Sequence, residues 1–267
     1  MKGKRAYLIA IWSVTAVCVV LGTMLHIVSP FDHLLFGQAE ETAANLQNTS
    51  TGFSKTDAFH TIEMNITVSD VVIAQGDNYG ISVTAKNGQK NPPSWDVQDD
   101  TLRVRQPIRQ RKFGIFSLGQ KTDSKFDVKV TVPEGTTLDG IQIDSGTGNA
   151  TLNGITADAL TADLGTGMLT ITDCTLKTLD VDGGTGSVTA SLATAPREVR
   201  IDCGTGDVAL TLPGEETDYG LKLETGTGKL TVGDETHRHE YKSDHADDAM
   251  HMIRIDTGTG DVTVKFE

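Results

Sequence analysis

The stretch Ile141-Gln-Ile-Asp-Ser-Gly-Thr-Gly-Asn-Ala-Thr-Leu152 decides the fold, because apolar and polar residues alternate on both sides of a Gly-Thr-Gly triplet. It recurs near the end of the chain as Ile253-Arg-Ile-Asp-Thr-Gly-Thr-Gly-Asp-Val-Thr-Val264. A period of two is the signature of a strand with one buried face, so each copy predicts two strands joined at a glycine corner. Six triplets begin at Gly146, Gly165, Gly184, Gly204, Gly226 and Gly258, at intervals of 19, 19, 20, 22 and 32 residues. Repeats of that length cannot bury an apolar row alone and must stack on their neighbours. The expected architecture is an all-β solenoid of stacked two-strand coils with a period of about 19–22 residues, in which six coils at ~4.8 Å spacing make a rod of ~29 Å.

Glycine on both sides of threonine suits a corner repeated in register, where the backbone turns with φ > 0 or approaches another backbone closely. The corner residues are Gly146 and Gly148, Gly165 and Gly167, Gly184 and Gly186, Gly204 and Gly206, Gly226 and Gly228, and Gly258 and Gly260. Two residues before each triplet stands an acid: Asp144, Asp163, Asp182, Asp202, Glu224 and Asp256. Stacked carboxylates repel by ~0.9 kcal/mol per pair in bulk water, so something must offset the ladder. Each acid can cap its own turn by accepting a Gly or Thr amide. A bound Ca²⁺ joining adjacent coils is the alternative, giving a Ca-stabilised surface repeat protein. Capping is preferred, because the Ca²⁺ β-roll pattern needs an Asp after the glycines and only Asp207 and Asp261 follow a triplet directly. The Asp-Ser-Gly-Thr and Asp-Thr-Gly-Thr stretches at Asp144 and Asp256 also match aspartic-protease loops. A motif repeated six times at one period is scaffold, and stacking would hold the two aspartates several coils apart. No catalytic residue and no cofactor is expected, and the chain is not read as an enzyme.

Composition agrees with a slender aliphatic core: 37% of the 267 residues are hydrophobic but only 5% aromatic. The net charge of −13 argues against a nucleic-acid partner. That charge is uneven, with 23 acids and 9 bases after Gly135 against 13 acids and 14 bases before Thr136.

The address is read from the start of the chain. Lys2, Lys4 and Arg5 precede an uncharged run from Ala6 to Val28. Its 23 residues reach ~35 Å as a helix, enough to cross a membrane. The positive-inside rule keeps residues 1–5 cytoplasmic and puts the bulk of the chain outside. The expected organisation is therefore a cytoplasmic start (1–5), a transmembrane helix (6–28), a stalk (29–54), degenerate β coils capping the rod (55–135) and the regular solenoid (136–267), with an insertion at 233–250.

Two clusters could carry binding. Arg103, Arg105, Arg109, Arg111 and Lys112 on the membrane-proximal half could contact anionic lipid or a phosphate-bearing wall polymer. In the insertion, His237 and His239 would share one strand face and could bind Zn²⁺ with Asp244 or His245. The preferred reading of the insertion is a solvated hairpin protruding from the solenoid. Cys203 reads as core filler, and Cys174 lies near the opposite corner of its coil.

With these residues laid out, the chain resembles the bacterial putative-adhesin family of domains of unknown function, which includes the LiaG-like membrane-anchored proteins. The resemblance rests on the opening Phe59-His-Thr-Ile-Glu-Met-Asn-Ile-Thr-Val-Ser-Asp-Val-Val-Ile-Ala-Gln-Gly-Asp-Asn78, the lead-in Thr131-Val-Pro-Glu-Gly-Thr-Thr-Leu138 and the Asp-x-Gly-Thr-Gly coils. It implies a β-solenoid with no active site, in a cell-envelope protein of adhesion or stress-response type. The expected function is a membrane-anchored extracytoplasmic binding, adhesion-type or structural module of a bacterial envelope. Its partners would be the membrane, envelope polymers or other membrane proteins. The alternative is an accessory subunit or regulator of an envelope stress-response complex.

Overall fold

The computed structural model describes residues 52–85, 92–106, 126–244, 246 and 249–267. The expected transmembrane helix, most of the stalk, and Arg109, Arg111, Lys112 and His245 lie outside the described residues. Among the described residues no helix is long and apolar enough to cross a membrane.

The strands in chain order are β1 (Phe53–Lys55), β2 (Thr61–Gly76), β3 (Gly80–Ala85), β4 (Ser94–Gln98), β5 (Thr101–Arg105), β6 (Phe126–Pro133), β7 (Thr137–Thr147), β8 (Ala150–Asn153), β9 (Thr156–Thr166) and β10 (Leu169–Thr185). They continue with β11 (Val188–Leu192), β12 (Glu198–Thr205), β13 (Val208–Leu212), β14 (Tyr219–Thr227), β15 (Leu230–Val232), β16 (Glu235–His237), β17 (Glu240–Lys242), β18 (His251–Thr259) and β19 (Val262–Phe266). The expected all-β stack of two-strand coils is present. One sheet runs β5-β2-β7-β9-β10-β12-β18-β14 in parallel pairs. The second runs β6-β2-β8-β10-β11-β13-β19-β15, also parallel. Strands β2 and β10 serve both sheets, because their first and second halves lie on opposite sides of a corner.

Alternation builds the core directly. Ile62, Ile141, Leu160, Leu179, Val199, Ile253 and Leu221 form one in-register column, every member buried. Each such side chain contributes ~1.5–3 kcal/mol of hydrophobic transfer energy, and each except the terminal Leu221 has a like neighbour above and below it. The slot before each triplet is also internal: Ser145, Leu164, Cys203, Thr225 and Thr257 are buried there. Cys203 is thus core filler, as expected, and both it and Cys174 are free thiols. Burial and then the nearby Asp202 and Asp182 carboxylates push the Cys203 thiol up to about 11, so it stays protonated at neutral pH.

The corners explain the glycines. At the second triplet glycine φ lies between 143° and 156°, and a Cβ there would sit 1.7–2.0 Å from a carbonyl oxygen of the adjacent coil. At the first triplet glycine the same test gives 2.5–2.8 Å. Close backbone approach is therefore the main requirement, with positive φ added at the second position.

Two expectations need correction, and the order of the coils is a further finding. The coils do not stack in chain order: β18 and β19 insert between β12/β13 and β14/β15, so the last triplet in sequence is the penultimate coil in space. The N-terminal end mirrors this, since β2 lies between β5/β6 and β7/β8. The insertion does not protrude: β16 pairs antiparallel with β15, and β17 pairs antiparallel with β14. At the other end β4 covers β5, and β3, itself edged by β1, covers β6. Phe53 and Ser54, expected in the stalk, belong to that edge. The physical reason is common to both ends. A parallel stack leaves two open strand edges, and here they are covered antiparallel by the short strands that flank β5/β6 and β14/β15 in the chain. Those coils with adjoining cap strands therefore lie outermost, and β2 and the β18/β19 coil are sandwiched inside.

Candidate functional surface

The two outward faces differ in chemistry. On the sheet containing β7, successive strands present Glu63/Asn65, Gln142/Asp144, Thr161/Asp163, Asp180/Asp182, Arg200/Asp202, Arg254/Asp256 and Lys222/Glu224. The six predicted acids thus form one exposed, in-register ladder. In its last three coils a basic column of Arg200, Arg254 and Lys222 runs beside it, two residues upstream or ~6.6 Å along each strand. That column and full solvation offset the repulsion, so the acids need not cap their own turns, and among the described residues none accepts from its own triplet. Asp144 accepts from Asn65 Nδ2 at 3.1 Å instead.

The side-chain caps sit one residue after the triplet. Asp70 Oδ1 accepts the Asn149 amide at 3.0 Å, Asn149 Oδ1 the Met168 amide at 3.0 Å, and Ser187 Oγ the Asp207 amide at 3.4 Å. Asp207 Oδ1 accepts the Asp261 amide at 2.8 Å, and Asp261 Oδ1 the Lys229 amide at 2.9 Å. Met168, 51% exposed, interrupts the ladder because a thioether offers the Ser187 amide no comparable acceptor. Met168→Asn is expected to complete it and to stabilise the fold by ~1 kcal/mol. The check is a melting temperature ~2–4 °C above the parent; an unchanged value counts against the ladder's energetic role. At the N-terminal end Gln106 Oε1 closes the corner column, accepting the Thr67 and Val68 amides at 2.8 and 2.9 Å.

The opposite sheet presents Thr151/Asn153, Thr170/Thr172, Thr189/Ser191, Ala209/Thr211, Thr263/Lys265 and Thr231/Gly233 on successive strands. The paired outward positions of these six coils carry one charged side chain, Lys265, and are otherwise hydroxylated or small; Asp173 is exposed at the β10 bulge, and β6 at the N-terminal end presents Asp127 and Lys129. The sequence reading missed it, although the signal was present as threonine at the outward positions of the strand after each triplet.

The other predicted residues are not gathered into a site. Asp144 and Asp256 are four coil steps apart on one ladder, ~19 Å, so they form no protease dyad. His237 ends β16 with its ring 4.4 Å from that of Tyr241, while His239 is exposed in the turn after it, so the two share no strand face. Among the described residues no three His, Cys, Asp or Glu side chains are placed to hold a metal ion. Burial and then a hydrogen bond to Glu216 raise the Tyr241 hydroxyl to about 12, which ties the cap hairpin to the turn before β14. Arg103 Nε is engaged by Glu63 Oε2 at 3.1 Å, whereas Arg105 is exposed.

Paired parallel ladders closed by antiparallel caps define a β-solenoid repeat protein. The chain belongs to the Toastrack DUF4097 family, whose pattern matches residues 59–197 and 167–265. It is similar to a "putative cell adhesion protein" from Clostridium sporogenes, at 17% identity over 81% of this chain and 97% of that one, with a TM-score of 0.42. It is also similar to a "putative adhesin" from Bacteroides fragilis, at 14% identity over 81% and 95% of the two chains, with a TM-score of 0.38. A "putative lipid binding protein" from Parabacteroides distasonis matches at 11% identity over 82% and 94%, with a TM-score of 0.27. No curated protein matches the chain.

Proposed function

We propose that this protein is a non-catalytic, membrane-anchored module of the bacterial cell envelope that binds an extended surface through its threonine-rich face. The observation that carries this reading is the contrast between the two outward faces. A protein of net charge −13 keeps charge at every outward pair of one sheet, whereas the paired outward positions of the six coils from β8 to β15 on the other carry only Lys265, with Asp127 and Lys129 confined to β6 at its N-terminal end. A hydroxylated face without charges loses little hydration energy on contact, whereas the ladder of carboxylates would have to be desolvated. The apolar run at residues 6–28, behind three bases, supports the anchor and an external address.

The test measures binding of the purified full chain to isolated bacterial envelopes. Thr170→Glu/Thr189→Glu/Thr263→Glu is expected to bind at least tenfold more weakly, and Arg200→Gln/Arg254→Gln/Lys222→Gln to bind as the parent does. The reverse ranking, or no binding by the parent, overturns the reading.

A further inference from the structure

We infer that the C-terminal coil, Met252–Phe266, is an exchangeable donor element, and that the slot it fills accepts the same segment from a second copy of this chain. The slot is internal. Strand β18 pairs over its length with β12 on one side and β14 on the other, and β19 pairs with β13 and β15. In every other regular coil the chain passes directly to a spatial neighbour. Here it runs outward through β14 and β15, turns back through the β16–β17 cap, and then re-enters between two coils already made.

Until those last residues arrive, β12/β13 and β14/β15 each expose an unpaired parallel edge of aliphatic strands, a ready template for any matching segment. The matching segment is specified by the repeat itself. Asp256 stands in register with Asp202 and Glu224, Thr257 with Cys203 and Thr225, and Thr259 with Thr205 and Thr227. A donor from another chain would make the same pairs. It would also find the same anchors at both ends. The Met252 amide donates to Arg197 O at 2.9 Å, His251 Nδ1 lies 2.7 Å from Pro196 O, and the Glu267 amide donates to Leu212 O at 2.9 Å. No disulfide holds the segment to its own body, since Cys174 and Cys203 are free thiols. The connection 243–250 reaches ~26–29 Å when extended, long enough to leave its own body and enter a neighbour's. Exchange of an identical element between copies is a low-cost route to a dimer, because the closed and exchanged forms share every contact except the hinge.

The test uses full-length chains with Cys18→Ser, one carrying Asp202→Cys and the other Asp256→Cys. Within either chain the new thiol has no registered partner thiol; only an exchanged pair brings residues 202 and 256 of different chains side by side, at a spacing a disulfide can bridge. The two are unfolded together, refolded in detergent at high concentration, oxidised and separated by non-reducing electrophoresis. Asp163→Cys with Asp202→Cys is the collision control, because those positions are not adjacent in either form. Exchange predicts a disulfide-linked heterodimer at least tenfold above that control, with a native circular dichroism spectrum. A yield equal to the control, or a linked dimer without native structure, overturns the inference.

Discussion

Gly186→Ala is expected to unfold the solenoid. A Cβ at this position would lie 1.7 Å from the Gly167 carbonyl oxygen of the adjacent coil, on a backbone with φ of 143°. The backbone conformation alone costs a non-glycine residue ~1–3 kcal/mol. The overlap is more serious, because nothing flexible can move aside: the clashing atom is backbone, held in a parallel ladder. Relief requires the two coils to separate locally. That stretches the Gly167 amide bond to Thr185 O, now 2.9 Å, and the Leu169 amide bond to Ser187 O, now 3.0 Å. Together these terms exceed ~4 kcal/mol, most of the stability of an ordinary domain. A fall of at least ~10 °C in melting temperature is expected, or failure to fold. Gly140→Ala is the control. Gly140 lies in β7 with ordinary φ and nothing within 4 Å of a built Cβ, so alanine there should be neutral or stabilise by ~0.4–1 kcal/mol. If both variants melt within a few degrees of the parent, close backbone stacking is not what the triplets are for.

The triplets were legible because glycine, threonine and alternating aliphatics state a local geometry that repeats. The same repetition hid the order of the coils. Any Asp-x-Gly-Thr-Gly segment pairs in register with any other, so neither Leu221 nor Ile253 says in its sequence which is to lie against Val199. Order is decided by which coils carry cap strands: β3 and β4 precede β5 and β6, and β16 and β17 follow β15. The short strands Glu235–His237 and Glu240–Lys242 form the cap for β15 and β14, whereas His251–Phe266 pairs with a coil on each side. The acids two residues before the triplets were found, but their role was misjudged. A carboxylate on the outward face points away from its corner, whereas Asn149, Asp207 and Asp261, directly after the glycines, and Asp70 at the equivalent position after Ser69, reach the next coil's amide. The threonine face escaped attention for a different reason. Threonine is the ordinary polar residue of a strand exterior, and the absence of charge becomes visible only when the strands are laid side by side.

Adjacent residues in β18 should give opposite outcomes that report on this order. Ile255 is 1% exposed and packs in register between Ile201 and Leu223, with a coil on each side. Ile255→Asp would place a carboxylate inside the column with no cation or donor facing it. Losing the side chain's burial costs ~1.5–3 kcal/mol, and an unpaired buried charge adds several more, so the variant is expected not to fold at neutral pH. Were the coils stacked in chain order, Ile255 would lie in the outermost coil, where a charge could turn toward solvent and the rest of the rod would survive. The structure instead requires a loss at Ile255→Asp as complete as at Ile201→Asp, which lies in the next coil. Asp256→Asn, one residue on, faces water between the Asp202 and Glu224 carboxylates. It removes a like-charge neighbour on both sides and is expected to be neutral or to stabilise by a few tenths of a kcal/mol. Denaturant unfolding of the four chains decides the matter: a folded Ile255→Asp protein with only its last coil frayed would exclude the intercalated order.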